Sequence, residues 1–145
     1  MFINKDMMSS VFRLWLYFWL PSLLVGILSF LSATESGTLS SVPLSVGHLW
    51  IHNSLVCAGI LLSGRINQKL PYLFYGYNSI FFSLILSLSA SLPQAFSRLL
   101  IYGPVEVAAL ALATYFGAHR QYRMVWILFV LLLLAAFLEQ LAGRF

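Results

Sequence analysis

MVWILFVLLLLAAFLEQLA, residues Met124–Ala142, decides the fold. From Met124 to Leu138 it carries no charged side chain, and Leu, Val, Ile, Ala and Phe fill nearly all of it. A strand rarely exceeds about ten residues, whereas roughly twenty apolar residues in a row make an α-helix that crosses a bilayer. The stretch reads as a transmembrane helix, and the rest of the chain repeats its pattern.

Working back from it, His119, Arg120 and Arg123 form a basic turn, preceded by an apolar run over 99–117. Ser91, Pro93 and Gln94 mark another turn. Pro71 opens a run over 71–90, and Arg65 to Lys69 form a short basic turn before it. A further run covers 46–64, behind a Ser/Thr/Gly-rich linker over 34–45 that holds Pro43 and Glu35. The first run, 11–33, follows Lys5 and includes Arg13. It is longer than the apolar core of a signal peptide, and Leu31 stands where a cleavage site needs a small residue, so it too reads as a span. Pro21 inside it is tolerated where neighbouring helices satisfy the freed carbonyl.

Composition agrees. Of 145 residues, 61% are hydrophobic and 8% charged, with mean hydropathy +0.90. Soluble domains carry about 25% charged residues, and a water-soluble globule of this size cannot hide so much apolar surface. Disorder, a disulfide scaffold and a nucleic-acid-binding module are excluded. The single cysteine, Cys57, rules out an intramolecular disulfide and a cysteine-rich metal site. The expectation is one all-α transmembrane domain over 1–145, a bundle of about five spans with the bilayer as its first partner. Putting the N-terminus inside places Lys5, Arg13, Arg65, Lys69, Arg120 and Arg123 on the cytoplasmic side and leaves Arg98 and Arg144 outside. This split predicts a cytoplasmic N-terminus and an outer C-terminus.

Three polar side chains fall deep in these runs: Asn53, Asn78 and Glu106. At 1.5 Å per residue, each lies within roughly 4 Å of its span's centre. An intramembrane carboxylate is costly and faces protein or water; the amides serve more often as glue between helices. The expectation is one polar layer in which Glu106, on a fourth span packed against the second and third, faces Asn53 and Asn78. Gly103 and Pro104 just before Glu106 predict a kinked or frayed helix there, and Glu106 reads as the one deep carboxylate. Small residues flank the layer. Ala109, Ala113 and Gly117 share a helical stripe with Glu106, and Ser79, Ser83 and Ser87 form a stripe on the third span. Such stripes let backbones approach closely, within the bundle or against another subunit.

His48 and His52 share a helix face without further ligands at matching spacing, so no metal or cofactor is expected. Trp15, Tyr17, Phe18 and Trp19 read as an interfacial belt, with Trp50 and Trp126 in similar positions, and Cys57 as a small core residue. Nucleophile elbow, zinc-protease, P-loop and dinucleotide motifs do not occur. No enzymatic activity is expected.

The segment from Trp50 to His119 resembles the stage II sporulation protein M family of small multi-spanning membrane proteins. That family shows a polar Asn early in one span, an Asn-Gly pair in the next, and a Pro-His-Gly-x-x-Glu signature leading into an Ala-rich helix that ends in Gly. Here His52-Asn53 leads to Gly59 and Gly64, Asn78-Ser79 replaces Asn-Gly, and Ile101-Tyr102-Gly103-Pro104-Val105-Glu106 runs through Ala108 and Ala109 to Gly117. Gly103 and Glu106 match; Ile101 and Tyr102 stand in place of the Pro and His, so no role resting on a His–Glu pair carries over. The resemblance implies a multi-pass protein of a bacterial or archaeal cytoplasmic membrane. It implies assembly with other membrane proteins, in peptidoglycan remodelling or with the ATPase or permease of an ABC-type export or bacteriocin-immunity system. A non-enzymatic subunit or scaffold is the first functional expectation. The alternative is a small homo-oligomeric transporter or channel in which Glu106 handles a cation or proton.

Overall fold

The computed structural model describes residues 5–32, 46–87 and 92–142, and all regular structure among them is helical. Five α-helices follow one another: α1 (Lys5–Ser32), α2 (Val46–Ile66), α3 (Leu70–Ser87), α4 (Leu92–His119) and α5 (Val125–Ala142), with a 3-10 turn over Tyr122–Met124 before α5. Three segments are long and apolar enough to cross a membrane, Val46–Ile66, Ile101–His119 and Tyr122–Leu141. Exposed side chains such as Leu24, Ile27, Leu55, Leu73, Ile80 and Val130 give the bundle an apolar exterior, which a bilayer covers and water does not.

The helices start where local chemistry allows. Pro71 stands in the first turn of α3 and Pro93 in that of α4, where the missing N–H costs nothing. Pro93 and Gln94, read from sequence as a turn, therefore belong to a helix that begins seven residues before the expected position 99. The span expected over 71–90 is helical to Ser87, and 88–91 lie outside the described residues. The helix of Pro104 runs on through Gly103 to His119 without a break. The fraying expected there does not occur, and the Pro104 carbonyl instead accepts the Trp15 indole N–H at 3.0 Å.

Hydrogen bonds fix the helix directions. Tyr75 donates its hydroxyl to the Leu14 carbonyl (2.8 Å) and Ser79 to that of Phe18 (2.7 Å), and Ser22 pairs with Ser83 at 3.0 Å. The offset is 61 residues at each rung, so α1 and α3 run parallel. At the other seam Gly64 of α2 lies against Gly117 of α4, both near their helix C-termini. The turn after His119 folds α5 back along α4. The N-termini of α1, α3 and α5 and the C-termini of α2 and α4 thus share one end of the bundle. Lys5, Arg65, Lys69, Arg120 and Arg123 lie on helix termini or turns at that end, and Arg13 lies about two turns into α1.

Helix α4 is the hub. It packs on all four other helices, while α1, α3, α2 and α5 follow one another around it. From Ala109 to Ala118 every residue except Leu112 is buried, and Ala109, Ala111, Ala113 and Thr114 are fully inaccessible. A helix buried on nearly all sides belongs at the centre of a bundle. The ring around it is incomplete, because α1 and α5 form no packed interface among the described residues.

Trp15, Phe18 and Trp19 do not form the interfacial belt expected of them. Phe18 is buried, with Tyr75 and Phe82 at ring distances of 5.4 and 5.7 Å, and Trp19 lies edge-on to both Phe18 and Phe82. These rings fill the core between α1 and α3; of the quartet Tyr17 alone is exposed. Trp50 donates to the Phe129 carbonyl at 3.1 Å, while Arg65 at the far end of α2 lies over the Tyr122 ring at 5.3 Å. One end of α2 thereby reaches the 3-10 turn before α5 and the other the second turn of α5. Trp126 is exposed.

Candidate functional site

Glu106 lies on the hub helix, half-buried, on the side of α4 that faces α2 and α5. Its stripe-mates Ala109, Ala113 and Gly117 are buried on that same side. Two ionisable groups from different helices sit within electrostatic range of it, Cys57 of α2 and Glu139 of α5. Glu139 corrects the expectation of a single deep carboxylate. Its signal was present in the sequence: Glu106 precedes His119 by thirteen residues and Glu139 follows Val125 by fourteen. At 1.5 Å per residue both lie about 20 Å from the turn that joins their antiparallel helices. Antiparallel pairing brings them level, and the apolar run around Glu139 disguised it.

The two asparagines of the expected layer lie on α2 and α3. Asn78, half-buried on α3, donates its side-chain amide to the Phe74 carbonyl of its own helix at 2.8 Å. That bond uses one of the amide's two hydrogens within α3. Asn53 is half-buried on α2, and among the described residues neither amide hydrogen-bonds to Glu106. Beside Asn53, the Ser54 hydroxyl is buried without a hydrogen-bond partner, one turn from Cys57. Gly103, three residues before Glu106, is buried.

The serine stripe of α3 faces inward. Ser79 and Ser83 are buried rungs of the α1–α3 ladder, and Ser83 also donates to the Ser79 carbonyl at 2.7 Å. Ser87 closes α3, and its side chain is outside the described residues. At the second seam the stripe of α4 ends in backbone contact. A Cβ on Gly64 would collide with the Gly117 carbonyl, and one on Gly117 would stand 3.0 Å from the Ile60 carbonyl oxygen and 3.2 Å from the Leu61 Cα. Cys57 is buried between these helices. His48 and His52 are both exposed on α2.

The end that gathers the basic residues is closed by an unusual cap. Gln121 N–H bonds the Phe116 carbonyl at 2.9 Å and Arg120 N–H that of Gly117 at 3.3 Å, the double bond pattern that terminates helices at a left-handed residue. Glycine usually holds that place; here Arg120 does, with φ 55°. Its guanidinium reaches the carbonyls of Gly64 (3.4 Å) and Arg65 (3.5 Å), so one side chain ties the C-terminus of α4 to that of α2.

Searches against family models, curated proteins and solved structures return no match for this chain.

Proposed function

We propose that this chain is a non-enzymatic integral membrane subunit, a five-span scaffold with its N-terminus in the cytoplasm, that completes a larger membrane assembly. The observation that carries the reading is the unfinished side of the hub. Ile101, Val105, Ala108 and Leu112 recur at offsets of four, seven and eleven residues, one stripe of α4. Ile101 is 46% exposed and the other three are partly so, although Gly103, Val107, Ala109, Ala111 and Ala113 between and beside them are buried. The stripe points away from Gly117 and α2, into the gap between α1 and α5. Its small, branched side chains suit a packed helix, and a sixth helix there would close the ring. The resemblance to the stage II sporulation protein M family supports the same reading. It suggests a partner in peptidoglycan remodelling or in an ABC-type export or bacteriocin-immunity system of a bacterial or archaeal cytoplasmic membrane. Affinity purification from native membranes tests it. A stoichiometric ABC permease, ATPase or peptidoglycan-active membrane protein is expected, and recovery of this chain alone overturns the proposal.

A second reading, a homo-oligomeric transporter or channel, has the Glu106–Glu139 pairing in its favour, since two carboxylates at one depth suit cation or proton handling. Proteoliposomes of the pure chain would then pass protons or cations and lose that flux on Glu106→Gln. Absence of flux in the unmodified protein removes this reading.

A further inference from the structure

We propose that the end of the bundle where α2, α3, α4 and α5 meet holds an anionic phospholipid, its headgroup phosphate received by Arg65, Lys69 and Arg123. The two turns at this end, 65–70 and 117–124, contain Arg65, Lys69, His119, Arg120 and Arg123 and no Asp or Glu. Contacts across the turns bring them together: Arg120 bonds to the end of α2, and Arg65 lies over Tyr122, the neighbour of Arg123. Arg120 is committed to the Gly64 and Arg65 carbonyls, and His119 to its stack on Tyr115 at 4.1 Å. Arg65, Lys69 and Arg123 are exposed. Lys69 is held by its backbone, whose N–H bonds the Asn67 side chain at 2.9 Å, which leaves its ammonium to reach outward.

Charge alone would suit any anion; the apolar rim selects an amphiphile. Ile66 (81% exposed), Leu73 (68%) and Trp126 (61%) follow Arg65, Lys69 and Arg123 by one, four and three residues, one on each of α2, α3 and α5. An acyl chain lies along these side chains while the phosphate remains at the cations, and Trp126 occupies the headgroup level that its indole favours. Basic residues at a membrane surface each add to the affinity for anionic lipid, and three on two adjacent turns would make that attraction local rather than diffuse.

The test uses the full chain in nanodiscs of mixed phosphatidylcholine and phosphatidylglycerol, with the lipid retained after detergent extraction measured by native mass spectrometry. The expected result is roughly threefold to tenfold enrichment of phosphatidylglycerol over the bulk ratio. The triple variant Arg65→Gln/Lys69→Gln/Arg123→Gln should lose that enrichment, while Arg65→Lys/Arg123→Lys keeps the charge and retains it. The double variant Lys5→Gln/Arg13→Gln, which removes two cations of α1 from the same end, should leave it intact. Equal loss in the α1 variant would mean a diffuse field instead of a site and overturns the proposal. So does displacement of the lipid by free glycerol phosphate at millimolar concentration, which would assign the site to a soluble anion. Binding of an acidic peptide without phosphatidylglycerol enrichment would assign it to a protein and likewise overturns it. If the triple variant does not elute as a monodisperse helical protein, the lysine pair and the α1 pair still decide between site and field.

Discussion

The two seams of the bundle hold their helices by opposite means. Along α1 and α3, Tyr75 and Ser79 donate hydroxyls to the Leu14 and Phe18 carbonyls and Ser22 pairs with Ser83, three rungs at one fixed offset. Between α2 and α4 two backbones touch where Gly64 meets Gly117, and the cross-bonds there come from one side chain, Arg120, to the Gly64 and Arg65 carbonyls. In a lipid-like environment there is no hydrophobic drive to press helices together, so association rests on packing and polar contacts. The ladder spreads its contribution over several bonds, each replaceable. The glycine contact concentrates it at a point where one added atom has nowhere to go.

That contrast orders the expected effects of substitution. Gly64→Ala is the most severe, because its methyl group meets the backbone of Gly117 and neither helix can yield without separating. A loss of about 3 kcal/mol is expected, read as a lowered midpoint for unfolding in SDS. Gly117→Ala, whose Cβ has contacts of 3.0 to 3.2 Å, should cost less, on the order of 1–2 kcal/mol. If the two cost the same as Gly76→Ala, which adds a Cβ in open space, the close contact does not hold α2 to α4. Removing one rung, Ser79→Ala or Tyr75→Phe, should cost roughly 0.6 kcal/mol and no more than about 1.7, and both together about the sum if the rungs are independent. A collapse from a single rung would contradict the ladder's distributed character. Smallest of all is Arg120→Gly. It relieves the left-handed backbone strain of about 1 kcal/mol and gives up two long guanidinium contacts of similar worth. The same unfolding assay should move by less than about 0.5 kcal/mol.

The same contrast shows what a sequence discloses. One side of the glycine seam is legible, because Gly117 closes a stripe of small residues and helical spacing is a local property; its partner Gly64 on α2 is not. The helical architecture is legible too, down to the start of α2 at Val46. The ladder's serines were legible as a stripe, but not their partner, since the offset that brings α3 to α1 is set by how far the chain travels between them. The aromatic quartet misled for a physical reason. Trp and Phe near a charged terminus look alike whether they meet headgroups or a neighbouring helix, and here Phe18 and Trp19 meet α3. At the candidate site Glu106 was readable and Glu139 was passed over, because an apolar flank says nothing about which helix lies opposite. Asn78 was read as reaching across the bundle, whereas an amide within a helix can bond its own preceding turn.

Among the described residues both seams leave α4 with one side on which no other helix is packed, and the proposed function stands on what fills it. Cysteine crosslinking in native membranes tests this directly. In a Cys57→Ser background, a cysteine at Ala108 on the uncovered stripe is compared with one at Leu73 on the exposed exterior of α3. The account predicts an adduct between Ala108→Cys and a different membrane polypeptide, with none from Leu73→Cys. Labelling of both positions by a lipid-soluble maleimide with no protein adduct at either, or adducts only between copies of this chain, would contradict it.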